Sequence, residues 1–424
     1  MKVLEPLLGV VLCALVAVAV FSGGAFTAGS LFALRCLTLL GLLIFALGWV
    51  TGQFAFPSKT MLAMLGVYLL LALLSTVRSP YPYGSLQAWL NLVLNAGVFV
   101  LAGVLSAQDR RMVMGVLIGC GGILGFYGLV QLMGIEAGLG QTRLSGLYQN
   151  SNHYSGLLTL VIPVVVAAAG AAQGLVRMLL GMLALVLVLN LALTFAWGLL
   201  FVLLVLLLWW RKGWMVGVAL AAAVLLLFSP QLSGGNLKQR FDELVYRWVG
   251  NSLASRVYLG QASLKMIQTN PLNGIGPGNY AYVFPVHRPP LIRSEAQEVL
   301  HRRIEYAHND YLHVASETGV PSLLAWLAFW WLVVTVRLPR PVYLPSAMVR
   351  HQTLRYWGLR AGLIALLLHG LSDGNLTYVH ANALLAYLLA GLLVGASRPI
   401  PLEPIAPALS GEMVWQDQQV TEVR

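Results

Sequence analysis

Residues 178–210 run for 33 positions without a charged side chain, longer than the roughly 17–25 residues with which one untilted helix crosses a bilayer. A stretch like this has no water-facing side to offer. In lipid it must be helical, because only helices and closed barrels satisfy every backbone polar group internally. Splitting it near Thr194–Trp197 gives two short spans. Further apolar runs lie at about 4–21, 31–50, 60–77, 88–105, 112–133, 154–173, 214–229, 319–336, 357–371 and 379–396. Only 10% of the 424 residues are charged, against about 25% in soluble domains, and mean hydropathy is +0.78. A cytosolic enzyme, a disordered chain and a secreted disulfide scaffold are all excluded. The expected fold is an all-α polytopic membrane protein of about twelve transmembrane helices.

The charges orient this bundle. With a cytoplasmic N-terminus, the inner segments hold Lys2, Lys59, Arg110, Arg111, Arg177, Arg211, Lys212, Arg337, Arg340, Arg350, Arg355 and Arg398. The short outer loops and their flanks hold only Arg35, Arg78 and Arg143. Short cytoplasmic loops are the ones enriched in Lys and Arg, so both termini are expected to be cytoplasmic. The expected organisation is a membrane domain over 1–229, a helical outer cap over 230–310, a second membrane section over 311–396 and a cytoplasmic tail over 397–424. Three stretches of the cap read as helical. In 236–248, Phe241, Leu244, Val245 and Trp248 form a stripe suited to a bilayer surface. In the next, Leu253, Val257, Leu264 and Ile267 form the apolar stripe, ending at Asn270-Pro271. In the third, Ser294 with Gln297 makes a capping box for a helix through about Glu305. A glycine turn, NGIGPGNY, separates the last two. Within the bundle, Cys13, Cys36 and Cys120 read as small buried hydrophobes. The pairs Gly115/Gly119 and Gly121/Gly125 read as close-packing positions.

The chemistry-bearing residues are few. There is no phosphate-binding GxxxxGK[ST] loop, HExxH or DxD pair, and no acid falls mid-span where an ion relay would need one. Neither a metal site nor a cofactor is expected, nor a nucleic-acid partner. The outer face instead offers arginine and histidine. Arg143 lies in RLSGLYQNSNHYSG, Arg256 on the second cap helix, and Arg288 after the glycine turn. Arginine forks bind phosphate oxygens bidentately at any working pH. His308 opens HNDYLHVASETG; in a continuous helix from Asn309, positions 308, 312, 315 and 319 share one face. An imidazole there can take a proton from a sugar hydroxyl, and His313 competes for the role. Asn150 and Asn152 open the sixth span as N-cap candidates. Asp373, between the last two spans, is placed to orient a histidine or an arginine.

Three blocks resemble one family. His308-Asn309, nine residues, then Gly319 resembles the H[NSQ]-x9-G signature of bacterial O-antigen ligases. RLSGLYQNSNHYSG and SRVYLGQASLKMIQTNPLNGIGPGNY resemble two further blocks of the superfamily those ligases share with O-antigen polymerases and protein O-oligosaccharyltransferases. The chain departs from the pattern at Ser322, where the ligase signature usually has Gly, Thr or Tyr. It departs again at Thr194–Gly198, where many relatives carry Ser-Arg-Gly; Arg35 or Arg78 are possible substitutes for that charge. The resemblance implies a GT-C-type membrane glycosyltransferase in the bacterial inner membrane, working at the periplasmic face. Its donor would be an undecaprenyl-pyrophosphate-linked glycan and its acceptor lipid A–core. By the same resemblance His308 is the catalytic histidine, and Arg143 and Arg256 hold the pyrophosphate. Arg288 joins them by position and charge, with Asn152, Asn309 and Asp373 supporting. The rival readings are an O-antigen polymerase and, from another class, a lipid-linked sugar transporter.

Overall fold

The computed structural model describes residues 3–132, 144–194, 196–209, 252–289, 304–337 and 346–397. All regular structure among them is helical. Eight helices come first: α1 (Leu4–Phe21), α2 (Ala28–Val50), α3 (Lys59–Val77), α4 (Pro82–Gly103), α5 (Ala107–Leu132), α6 (Ser151–Ala171), α7 (Gly174–Leu193) and α8 (Gly198–Trp209). Six follow: α9 (Ser252–Thr269), α10 (Tyr280–His287), α11 (Asp310–Thr318), α12 (Val320–Thr335), α13 (Ser346–His369) and α14 (His380–Ala396). The seven helices α1–α7 are long and apolar enough to cross a membrane, and α8, α12 and α14 are shorter apolar helices. The expected span at 214–229, the stripe at 236–248, most of the capping-box helix, Arg143 and the tail lie outside the described residues. Ile304 and Glu305, where that third cap helix was to end, are not helical.

Helices α6 and α14 are the innermost, buried along almost their whole lengths. Lipid supplies no hydrophobic drive for helix pairing, so close approach depends on small residues. Gly358 and Gly362 lay α13 on α6, where a Cβ would meet the Pro163 and Leu160 carbonyl oxygens. Gly391 and Gly395 seat α14 against the Phe99 and Gly103 carbonyls of α4. In α5, Gly121 packs on Val161 and Gly125 on Leu187, as their spacing suggested. Gly115 and Gly119 do not; a Cβ on either would meet open space. The outer helices turn Leu39, Leu43, Leu47, Leu70 and Leu74 outward, the side a lipid tail would wet. Cys120 is buried, but Cys36 is exposed on α2, contrary to its reading as a buried hydrophobe.

Connections gather at one end of the bundle. Ala381 N–H donates to the Gly24 carbonyl, Leu144 N–H to Leu193, and Asp310 N–H to Gly370 (2.7 Å). The Asn279 amide donates to the hydroxyls of Ser79 and Ser85.

Two expectations need correction here. The helix does not continue from Asn309 through the tenth span: it breaks at Gly319 (φ +88°) into α11 and α12. Gly319 therefore shares no helical face with His308. Its missing side chain makes room for the 272–273 backbone, where a Cβ would overlap the Leu272 carbonyl oxygen, and Val320 N–H donates to Pro271 O at 2.8 Å. The second correction concerns α9. Its buried stripe is Leu259, Ala262, Ser263 and Met266, packed on α10, while Val257 and Leu264 are exposed. Ser263 decides this face, because its hydroxyl bonds the Tyr280 hydroxyl at 2.9 Å.

Both the left-handed backbone and the occupied space make Gly319 irreplaceable. Gly319→Ala should cost about 1–3 kcal/mol, read as a lowered melting temperature in detergent. Gly115→Ala, in an open helical position, should leave it unchanged or raise it.

Candidate active site

The site is built where α11 meets the α13–α14 loop. Asn309 caps α11 by accepting from Leu312 N–H (2.9 Å), and its Nδ2 donates to Leu371 O (2.9 Å). Next to it, Asp310 is fully buried and accepts from Leu376 N–H (3.1 Å) and from the Thr377 hydroxyl (2.7 Å). These bonds fix the residue just before them, His308, against the loop that carries Asp373. His308 itself has φ +49°, a left-handed conformation that is uncommon outside glycine and costs of order 1–3 kcal/mol when over-determined by its surroundings.

His308 Nδ1 lies 3.2 Å from Asp373 Oδ1, with the imidazole 26% exposed and the carboxylate wholly buried. Gly374 N–H also donates to Oδ1 (2.9 Å), while Oδ2 has no hydrogen-bond partner. Burial works against ionisation of Asp373. The hydrogen bond and charge of His308, with His153 and His369 close by, outweigh it and hold the carboxyl well below the usual carboxylate range. An ionised carboxylate only accepts, so Nδ1 carries the hydrogen and donates. The other nitrogen, Nε2, takes no part in this pair.

Arg256 reaches the same loop from α9, its Nε–H donating to Ser372 O at 2.6 Å. Tyr306 floors the site. Its ring lies 4.0 Å from that of His308 and 4.2 Å from that of Tyr378, and its hydroxyl bonds His153 Nε2 at 3.0 Å. Burial, then the charge of Asp373, pushes the Tyr306 phenol well above its ordinary range. Chemically this is an imidazole oriented by a buried carboxylate, with an arginine held on the same loop.

Residues 179–327 match the family model described as O-Antigen ligase. Over that stretch the chain is similar to the O-antigen ligase family. The likeness read from the three sequence blocks, to the superfamily of O-antigen ligases and polymerases, is thereby borne out, and with it an enzyme of membrane-bound glycan assembly. No curated protein matches the chain. The matched stretch contains Arg256, Arg288, His308 and Asn309, whereas Arg143, Asn152 and Asp373 fall outside it.

The structure thus brings His308, Asp373, Arg256 and Asn309 together. Arg288 is exposed at the C-terminal end of α10, where its charge is felt by the Tyr258 phenol. Asn152 sits in the first turn of α6, with its N–H donating to the N-cap Asn150 at 2.8 Å. His313 is buried instead beside Glu317, Nε2 to Oε2 3.4 Å, its ring 5.3 Å from that of Tyr280. The sequence reading passed over Tyr306, Asp310 and Glu317. Glu317 accepts from Gly278 N–H (2.8 Å) and Tyr280 N–H (3.0 Å). The signal for it was the glycine turn, whose bare N–H groups require an acceptor. Among the described residues, no three or more His, Cys, Asp and Glu side chains cluster as metal ligands.

Because Asp373 is held ionised, its contribution to stability is complete above the ordinary carboxylate range, about pH 4. It is lost as pH falls through that range toward the lower native value. Melting curves between pH 6 and pH 3 should show wild type losing more stability than Asp373→Asn.

Proposed function

We propose that the protein is an O-antigen ligase, transferring O-antigen glycan from undecaprenyl pyrophosphate to a sugar of lipid A–core during lipopolysaccharide assembly. The observation that supports this most is the His308–Asp373 pair, its imidazole 26% exposed, on the loop that Arg256 also reaches. In this reading His308 is the general base. It takes the proton of the acceptor hydroxyl as that oxygen attacks the anomeric carbon. The bond from that carbon to the pyrophosphate oxygen breaks in the same displacement, so configuration inverts. Undecaprenyl pyrophosphate leaves, its developing charge stabilised by Arg256, Arg143 and Arg288 without a metal ion. Asp373 fixes the imidazole tautomer and steadies the imidazolium that forms, the role a buried carboxylate plays behind many catalytic histidines. Asn309 positions His308, and Asn152 supports the arginine side.

The twelve-helix count, the GT-C-type fold and the inner-membrane setting belong to the same proposal. So do the cytoplasmic termini and an active site on the periplasmic face. An acceptor outside the inner membrane has no supply of nucleotide sugars, so the donor must arrive already activated on its lipid.

The test uses purified protein in detergent with lipid A–core, glycan-linked undecaprenyl pyrophosphate and EDTA, following the lipid product on a gel. Wild type should form product unaffected by EDTA, and His308→Ala none. Asp373→Asn should fall by about 10²–10⁴-fold, the usual worth of positioned general-base catalysis. Arg256→Ala should lose about tenfold or more in kcat/KM, as expected for one charge-assisted phosphate contact. Lengthening of the donor glycan, with lipid A–core untouched, would identify a polymerase. Undiminished activity in His308→Ala would transfer the base role to His313.

A further inference from the structure

A cavity of about 350 Å³ opens between α2, α4, α10, α11 and α14, separate from the His308 surface. Its size falls within the range of small-ligand sites, about 300–1,000 Å³. Of the stacked trio His308, Tyr306 and Tyr378, only Tyr378 reaches its lining. The cavity therefore lies two aromatic rings away from the imidazole.

Arg35 forms one wall. It sits two turns inside α2 and is half-buried; its Nε–H and an Nη2–H both donate to the single Asn91 Oδ1, at 3.1 and 2.9 Å. Its other guanidinium edge is unspent, and among the described residues no carboxylate pairs with it. The acids of the opposite wall are engaged elsewhere: Glu317 by Gly278 N–H, Tyr280 N–H and His313, Glu305 by the Tyr378 hydroxyl. A charged side chain inside a membrane helix is costly unless it serves a partner. Two further buried groups lining this space keep polar atoms with no hydrogen-bond partner among the described residues. His313 turns Nε2 to Glu317 and leaves Nδ1 with no hydrogen bond, and Asn95 is 8% exposed with no side-chain hydrogen bond among the described residues. At the mouth, Tyr282 packs on Tyr81, centroids 5.1 Å apart, offering a ring face to a sugar.

We infer that this cavity binds an anionic sugar of the acceptor glycolipid, its phosphate or carboxylate on Arg35 and its hydroxyls on Asn95 and His313. The inference rests on the ligase reading and adds a second anion site to it, distinct from the donor pyrophosphate at Arg256. An inner sugar held here leaves the next one to pass over the Tyr378–Tyr306 edge toward His308 Nε2. Arg35 then acts in acceptor recognition and takes no part in leaving-group stabilisation.

The test compares wild type, Arg35→Gln, Arg35→Lys and Asn95→Leu, with lipid A–core varied at fixed donor and the donor varied at fixed lipid A–core. Arg35→Gln and Asn95→Leu should raise the acceptor KM about tenfold, with kcat and donor KM within about threefold of wild type. Arg35→Lys should recover part of the loss. Binding of lipid A–core to His308→Ala protein, with and without the Arg35→Gln change, reads the cavity independently of turnover. Phosphatase-treated lipid A–core should bind wild type as weakly as intact acceptor binds Arg35→Gln if phosphate is the anion; unchanged binding would make carboxylate the anion. A raised donor KM, or acceptor affinity unchanged in both Arg35→Gln and Asn95→Leu, overturns the inference. Failure of the ligase reading is separately visible as wild type that binds lipid A–core but never glycosylates it.

Discussion

Glu317 is the residue on which the site end of the molecule depends. Its carboxylate accepts the N–H groups of Gly278 and Tyr280, and its carbonyl accepts from Gly276 N–H and the Ser75 hydroxyl. Irregular backbone at membrane depth survives only where protein satisfies its polar groups. One buried residue, through its carboxylate and its carbonyl, therefore binds the glycine turn, the start of α10 and helix α3 to the last turn of α11. Because the other end of α11 carries Asn309 and His308, the histidine is located by this knot as much as by its own contacts.

The second constraint is charge economy. Asp373 has no exposure, and a buried carboxylate is tolerated only when its surroundings favour its ion. The surroundings here are His308, the nearby His153 and His369, and Arg256 on the adjoining carbonyl. His308 and the Arg256–Ser372 contact therefore converge on the loop that carries this one carboxylate.

The membrane character and most helix positions were legible, because a bilayer forces long uncharged runs into helix whatever their detailed sequence. The cap was less so. The stripe read through Val257 and Leu264 fits helical spacing, but an apolar residue near a membrane need not face protein, and it was polar Ser263 that marked the buried side. The break at Gly319 was hidden by apolar periodicity on both sides, although Gly319-Val320-Pro321 carries the glycine stop and proline start of two helices. At the site, His308 and Arg256 came from the family blocks. Asp373 stood out as an isolated acid, but its pairing with His308 spans 65 residues, a separation no local pattern encodes. Tyr306 had no signal at all, since an aromatic before a polar turn is unremarkable until its neighbours are known.

The left-handed backbone at His308 sets a bulky imidazole where a residue without a side chain would sit with less strain. Glycine would adopt φ +49° freely and asparagine nearly so. Variation filtered for robustness alone would therefore drift toward those two residues, and under the proposed reaction it would remove the base in doing so. A survey of natural sequences could use that tension as a gauge: where the turn persists but the imidazole has given way to glycine or asparagine, the scaffold has outlived its chemistry.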